Sequence, residues 1–235
     1  MKLIVAGDWH LDLIVGGYDF HDDIVEAART VIDATHGKDA LILVGDLFNT
    51  PRPSPRAYAT LIELLDESAC PIVIIPGNHE VVSSNKPSAL EPLKKIRFYQ
   101  DVKIVEYPKI VGFGGKKFLF FPYITDTKAK ELEYPSAAYF VRGAFEDVLE
   151  NSGGEISAAF CHLDVEGVDI GGGAFLRGGL LPMPLKIAKK LPFPIFNGHI
   201  HNRQKIEPNI WLPGSIVPTN FMEPKSKKGY LEMKV

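Results

Sequence analysis

The chain has 235 residues, 46% of them hydrophobic and 23% charged, with 29 acidic against 26 basic side chains and a formal net charge of −3. That mixture is too apolar for a disordered chain, and no run approaches the roughly 18 unbroken apolar residues of a membrane-spanning helix. Two cysteines, Cys70 and Cys161, cannot build a disulfide framework or a four-cysteine metal site.

Leu3 to Gly7 predicts a short buried strand. From about Asp19 to His36 a helical period places Ile24, Ala28, Val31 and Ile32 on one face. Ala40 to Val44 is a second strand. Ser54-Pro55 reads as an N-cap followed by proline at the first helical position, and Tyr58, Leu61, Ile62, Leu65 and Ala69 follow at helical spacing. Pro71 to Ile75 is a third strand. Unbroken apolar strands between amphipathic helices predict a parallel sheet covered on both faces. Beyond about residue 100 strands dominate, at Val102 to Val105, Lys109 to Phe113 and Lys117 to Phe121, with Gly114-Gly115 as a hairpin turn. A helix from about Ser136 to Glu150 stops at Asn151-Ser152-Gly153-Gly154. Ile156 to Cys161 is a strand and the glycine-rich Gly167 to Gly179 a loop. Phe193 to Asn197, Arg203 to Glu207, Ile210 to Leu212 and Gly229 to Val235 complete the strands. At this length one domain over residues 1–235 is expected.

Five turns, each after an apolar strand, concentrate the chemistry: Gly7-Asp8-Trp9-His10, Gly45-Asp46, Gly77-Asn78-His79-Glu80, Cys161-His162 and Gly198-His199-Ile200-His201. In open α/β sheets, ligands bind beyond the carboxyl ends of the strands, where such turns meet. Asp8 and Asp46 offer anionic oxygens, Asn78 an amide oxygen, and His10, His162, His199 and His201 neutral nitrogens. Oxygen and nitrogen donors without thiolate suit Mn, Fe or Zn. Seven donors are too many for one tetrahedral ion and suit two ions sharing a carboxylate. The two-residue spacing of Asp8-x-His10 and His199-x-His201 puts both side chains on one side of an extended segment. Singly, each motif has an ordinary reading: an Asx-turn at Asp46, a tight turn at Gly77-Asn78, a hydrogen-bonded core histidine at His162. Their coincidence in one α/β pattern favours a site. Cys161 falls on the opposite strand face from His162 and reads as core, and His21 and His36 as surface residues.

This motif series resembles that of the calcineurin-like metallophosphoesterase superfamily, along essentially the whole chain. The resemblance implies a four-layer αββα sandwich with a dinuclear site at one edge and phosphoester hydrolysis by water activated between two metal ions, Mn²⁺ foremost. It also implies Asp8, His10 and His201 as ligands of one ion, Asn78, His162 and His199 of the other, Asp46 as the bridge, and His79 as a catalytic histidine that is not a ligand, with Asn78 beside it on the phosphate.

Gly198-His199-Ile200-His201 and the ending Pro213 to Glu223 with Lys228-Gly229-Tyr230 are similar to the SbcD-type nuclease branch, which implies DNA as substrate and a coiled-coil ATPase partner of the SbcC type. That branch continues into a capping domain; here none is expected as a separate unit. Nucleotides, cyclic nucleotides and phosphorylated proteins are the alternative substrates. Net charge does not decide between them, because two divalent cations would turn −3 into about +1. Lys116-Lys117, Lys186, Lys189-Lys190 and Lys225 to Lys228 are the candidate phosphate contacts. Asp8 interrupts the N-terminal apolar run before a signal-peptide core forms, so a cytoplasmic location without membrane association is expected.

Overall fold

The first strand, β1 (Lys2–Ala6), buries both of its faces. Leu3 and Val5 belong to one apolar cluster, Ile4 and Ala6 to another, and all four are fully covered. A strand of this kind needs a packed layer on each side. The computed structural model, which describes residues 1–82, 87–152, 155–220, 223 and 227–235, supplies both layers.

After β1 come a small hairpin, β2 (Ile14–Val15) and β3 (Tyr18–Asp19), then α1 (His21–Asp33), β4 (Ala40–Leu43), α2 (Pro55–Asp66), β5 (Ile72–Ile74) and β6 (Val102–Ile104). The second half holds β7 (Lys109–Phe113), β8 (Lys116–Phe121), α3 (Asp126–Glu131), α4 (Ala137–Asp147), β9 (Ile156–Cys161), β10 (Asp169–Gly171) and β11 (Ala174–Phe175). It ends with α5 (Leu185–Ala188), β12 (Ile195–Asn197), β13 (Gln204–Glu207), β14 (Ile210–Leu212) and β15 (Leu231–Lys234).

One sheet has the order β15-β1-β4-β5-β6, the other β13-β14-β12-β9-β8-β7. In each the inner strands are parallel, while β15, β7 and β13 run antiparallel at the edges. The parallel sheet expected from the first hundred residues is present in β1-β4-β5, and the hairpin expected at Gly114-Gly115 joins β7 to β8. The tight connections at Gly114-Gly115 and at 208–209 can only join antiparallel neighbours.

The layers follow from which residues touch. Ile4, Leu41 and Ile72 pack on Ile24, Ala28 and Val31 of α1 and on Leu61 and Leu65 of α2. Leu119, Phe121 and Ile195 pack on Val141 and Phe145 of α4. Between the sheets, Leu3, Val5, Ile42 and Val73 meet Phe118, Phe120, Phe160 and Phe196. This is the α-β-β-α order.

Local signals place most elements. Ser54 caps α2, its hydroxyl accepting from the Ala57 N–H at 3.1 Å, with Pro55 at the first position. Ser136 caps α4, which ends in a π-helical turn over Val148–Ser152. The Gly153-Gly154 stop lies outside the described residues, as do Phe221, Met222, Pro224, Lys225 and Ser226 of the C-terminal motif. The loop expected over Gly167 to Gly179 contains the β10–β11 hairpin, turned by Gly172 and Gly173 at positive φ. His21 is not a surface residue: it is buried, with Nε2 3.0 Å from the Thr60 hydroxyl. His36 is exposed, as expected.

Candidate metal centre

The ligand-bearing turns follow β1, β4, β5, β9 and β12, strands drawn from both sheets and all ending at the same edge of the sandwich. Backbone bonds stitch these turns together. The Asp8 N–H donates to Gly45 O at 2.9 Å, His10 N–H to Asp46 O at 3.0 Å, and Gly198 N–H to Cys161 O at 2.9 Å. Asp8 (φ 55°), His10 (φ 55°), Asp46 (φ 52°) and His199 (φ 75°) all adopt left-handed backbone. The extended geometry expected for Asp8-x-His10 is thus corrected. Both side chains do reach the site, but through two left-handed residues rather than through strand alternation.

Each carboxylate is held by one oxygen and presents the other. Asp8 Oδ1 accepts from the His199 N–H at 2.8 Å, while the buried Asp8 Oδ2 has no hydrogen-bond partner. Asp46 Oδ1 accepts from the His79 N–H at 2.9 Å; its Oδ2 lies 3.3 Å from His162 Nε2 and 4.0 Å from His10 Nε2. His162 Nδ1–H donates to Val44 O at 2.7 Å, so its Nε2 is the nitrogen facing Asp46 and, at 3.1 Å, Asn78 Oδ1. His199 Nδ1 faces the same Asn78 oxygen at 2.9 Å. His10 and His201 oppose each other with Nε2 atoms 2.9 Å apart.

Among the described residues, three groups have ligand atoms within 4.8 Å of one another: Asp8, His10 and His201; His10, Asp46 and His79; and Asp46, His162 and His199. These groups share His10 and Asp46, and Asn78 Oδ1 meets His162 and His199, so the expected site residues lie in one cluster. His79 stands edge-on to His10, with ring centroids 4.8 Å apart, and its Nδ1–H donates to Asn49 O at 2.9 Å. The partnerless Asp8 oxygen and the converging ligand atoms of Asn78, His162 and Asp46 fit divalent cations, which would neutralise the carboxylates and take the place of a proton on His162.

The electrostatics follow from burial and crowding. Burial pushes the Asp8 carboxyl upward and drives His10 down to about 3. Burial opposes charge on Asp46 and His162 too, but their mutual attraction outweighs it. The Asp46 carboxyl is held well below the carboxylate range and His162 is raised to about 9.

Three carboxylates outside the expected ligand set support the ligands. Buried Glu80 accepts from the Asp46, Gly77 and Phe48 N–H groups at 2.9, 2.7 and 2.8 Å; burial, then Asp46, lifts it to about 8. Its position inside Gly77-Asn78-His79-Glu80 was the available signal. Asp164 and Glu223 contact His199 and His201, and only the spacing His162-x-Asp164 hinted at the former.

With five turns bringing three candidate cation-holding groups together in an αββα sandwich, the class is that of a metallophosphoesterase. The chain belongs to the calcineurin-like phosphoesterase family, whose sequence model matches residues 1–203, a family of metal-dependent hydrolases that use divalent cations. It is 25% identical to the SbcD subunit of the nuclease SbcCD from Staphylococcus saprophyticus over 252 aligned positions, covering 98% of this chain and 64% of that protein. The chain thus spans just under two thirds of that relative's length. Similar solved structures include a phosphopantetheinyl hydrolase of Mycobacterium tuberculosis (14% identity, TM-score 0.48, 90% of this chain and 87% of the other). Another is the purple acid phosphatase PPD1 of yellow lupin (13% identity, TM-score 0.48, 86% and 38%). No helix among the described residues is long and apolar enough to cross a membrane.

Proposed function

We propose that the chain is a DNA nuclease, a phosphodiester hydrolase working with two divalent ions, Mn²⁺ ahead of Fe or Zn. Asp8, His10 and His201 would hold one ion and Asn78, His162 and His199 the other, with Asp46 placed to serve both. The observation that carries this reading is Asp46: one oxygen is fixed by the His79 N–H and the other faces the nitrogens of both His10 and His162. DNA as substrate is supported by the similarity to the SbcCD nuclease subunit along nearly the whole chain. The same relative is one subunit of a nuclease named for two, which supports an SbcC-type ATPase partner; a cytoplasmic location and a single domain over residues 1–235 belong to the same proposal.

When bound, the ions supply an activated water and neutralise phosphate charge. The chain's own groups do the rest. Asn78 turns its Oδ1 toward His162 and His199, leaving its amide Nδ2 to donate to a phosphate oxygen. His79 donates Nδ1–H to Asn49 O, which leaves Nε2 as the ring atom that would pass a proton to the leaving oxygen. General acid catalysis of this kind contributes about 10²–10⁴ in rate. His79→Ala is expected to lower kcat by about that factor with metal content unchanged; turnover within about twofold of wild type would remove the role. The substrate class is tested with Mn²⁺ on single-stranded DNA, a generic phosphodiester and a generic phosphomonoester. Cleavage of DNA and diester is expected, and hydrolysis of the monoester alone would reject the nuclease.

A further inference from the structure

His199 and His201 sit two residues apart yet present different nitrogens to the site. His199 turns Nδ1 toward Asn78, and its Nε2–H donates to Asp164 Oδ1 at 2.8 Å. His201 turns Nε2 toward His10, and its Nδ1–H faces the Thr219 hydroxyl at 2.6 Å and Glu223 Oε1 at 3.1 Å. A neutral imidazole has one N–H, and the nitrogen beside a carboxylate keeps it. The other nitrogen is left with its lone pair. Neither carboxylate belongs to the ligand set proposed above.

Both carboxylates are fixed in place by surface segments. Asp164 Oδ2 accepts from the Leu181 N–H at 2.7 Å, and Gly179 packs so closely that a Cβ there would lie 2.2 Å from Asp164 Cγ. The Glu223 side chain is 1% exposed. It accepts from the Thr219 hydroxyl, from Asn220 Nδ2 at 3.2 Å and from Lys228 Nζ. Lys228 Nζ also donates to His201 O at 3.0 Å and to Ser215 Oγ at 2.8 Å.

We infer that Asp164 and Glu223 are positioning residues with separate duties. Asp164 makes His199 a ligand through Nδ1 and ties segment 164–182 to one ion. Glu223 makes His201 a ligand through Nε2 and ties Thr219 and Lys228 to the other. Occupancy of each ion position is thereby coupled to a different set of supporting residues. This rests on the ligand assignment above.

The test uses the full chain with Asp164→Ala, Asp164→Asn, Glu223→Ala and Glu223→Gln. Two quantities are read: Mn²⁺ affinity by titration, and the tautomers of His199 and His201 in the metal-free protein by long-range ¹H–¹⁵N correlation. Each alanine variant is expected to weaken one ion by about 10–100-fold while sparing the other, and to release the tautomer of its own histidine only. The amide variants, whose oxygen still accepts the imidazole N–H, are expected to restore the tautomer and recover most of the affinity. Alanine variants that keep both affinities and both tautomers would overturn the inference. So would variants that weaken both ions equally. A wild-type chain that takes up no Mn²⁺, while its tautomers still depend on these carboxylates, would instead overturn the ligand assignment and leave the positioning roles standing.

Discussion

In the metal-free protein Asp46 Oδ2 lies 3.3 Å from His162 Nε2, the atom that would face a cation, and against the cost of burial it favours a proton on His162. An ion must displace that proton. Because His162 is raised to about 9, Mn²⁺ affinity is expected to fall by about tenfold per pH unit as pH drops below 9, which titrations at several pH values would measure. The stability of the metal-free fold has the opposite dependence. A histidine raised from 6.5 to about 9 stabilises fully below pH 6.5, and that contribution is lost as pH climbs to 9. The melting temperature of the metal-free chain should therefore decline across that window. Residue types were legible at this scale because metal chemistry restricts them. The proton inventory was not, because it depends on a carboxylate and an imidazole 116 positions apart in the chain meeting at 3.3 Å.

The turns explain why glycine precedes so many of these ligands. A Cβ on Gly7 would lie 2.8 Å from Val44 Cγ2, on Gly45 2.4 Å from His162 Nδ1, on Gly77 2.1 Å from Asp46 Oδ1, and on Gly198 2.2 Å from Val44 O. The turns cross one another so closely that no side chain fits between them. Gly77→Ala is expected to displace Asp46 and His162, abolish Mn²⁺ binding and lower the melting temperature. Gly115→Ala is the control: it meets nothing within 4 Å, carries only the cost of φ 71°, about 1–2 kcal/mol, and should leave metal content unchanged. Strand and helix positions were readable at this scale from period and caps, as Ser54 and Gly114-Gly115 illustrate. The β10–β11 hairpin, α3 and α5 were not. They are short, and they hold their shape through contacts with distant residues, such as Gln204 Nε2 donating to Asp169 O at 2.6 Å in β10.

Across the whole molecule, the aromatic layer between the sheets holds the two groups of ligand-bearing strands in register. Phe160 is fully buried there, its ring 5.2 Å from Phe120 and 5.8 Å from Phe196. Phe160→Ala is expected to cost about 3–5 kcal/mol, read from the denaturant midpoint. It should weaken metal binding as well, since His162 lies two residues further along the same strand end. The expected phosphate-binding lysines divide by position. Lys117 pairs with Glu155 at the start of β8, and Lys189-Lys190 precede β12, so both lie at the strand ends opposite the site. Lys228 is turned inward onto Glu223, which corrects its reading as a phosphate contact. Lys186 and Lys227 are exposed.

The order of strands and helices, the apolar faces and the identity of the candidate ligands were all readable along the chain. Each depends on local period, or on the few side chains able to bind cations. Three things depended on the folded molecule: the antiparallel docking of β15 beside β1, the left-handed backbone at Asp8 and His10, and the pairing of Asp164 and Glu223 with the two histidines. Their cause lies in contacts between segments far apart in sequence. Backbone strain at Asp8 is offset by Gly45 O and the His199 N–H, and a histidine's tautomer is set by whichever carboxylate the fold brings behind it.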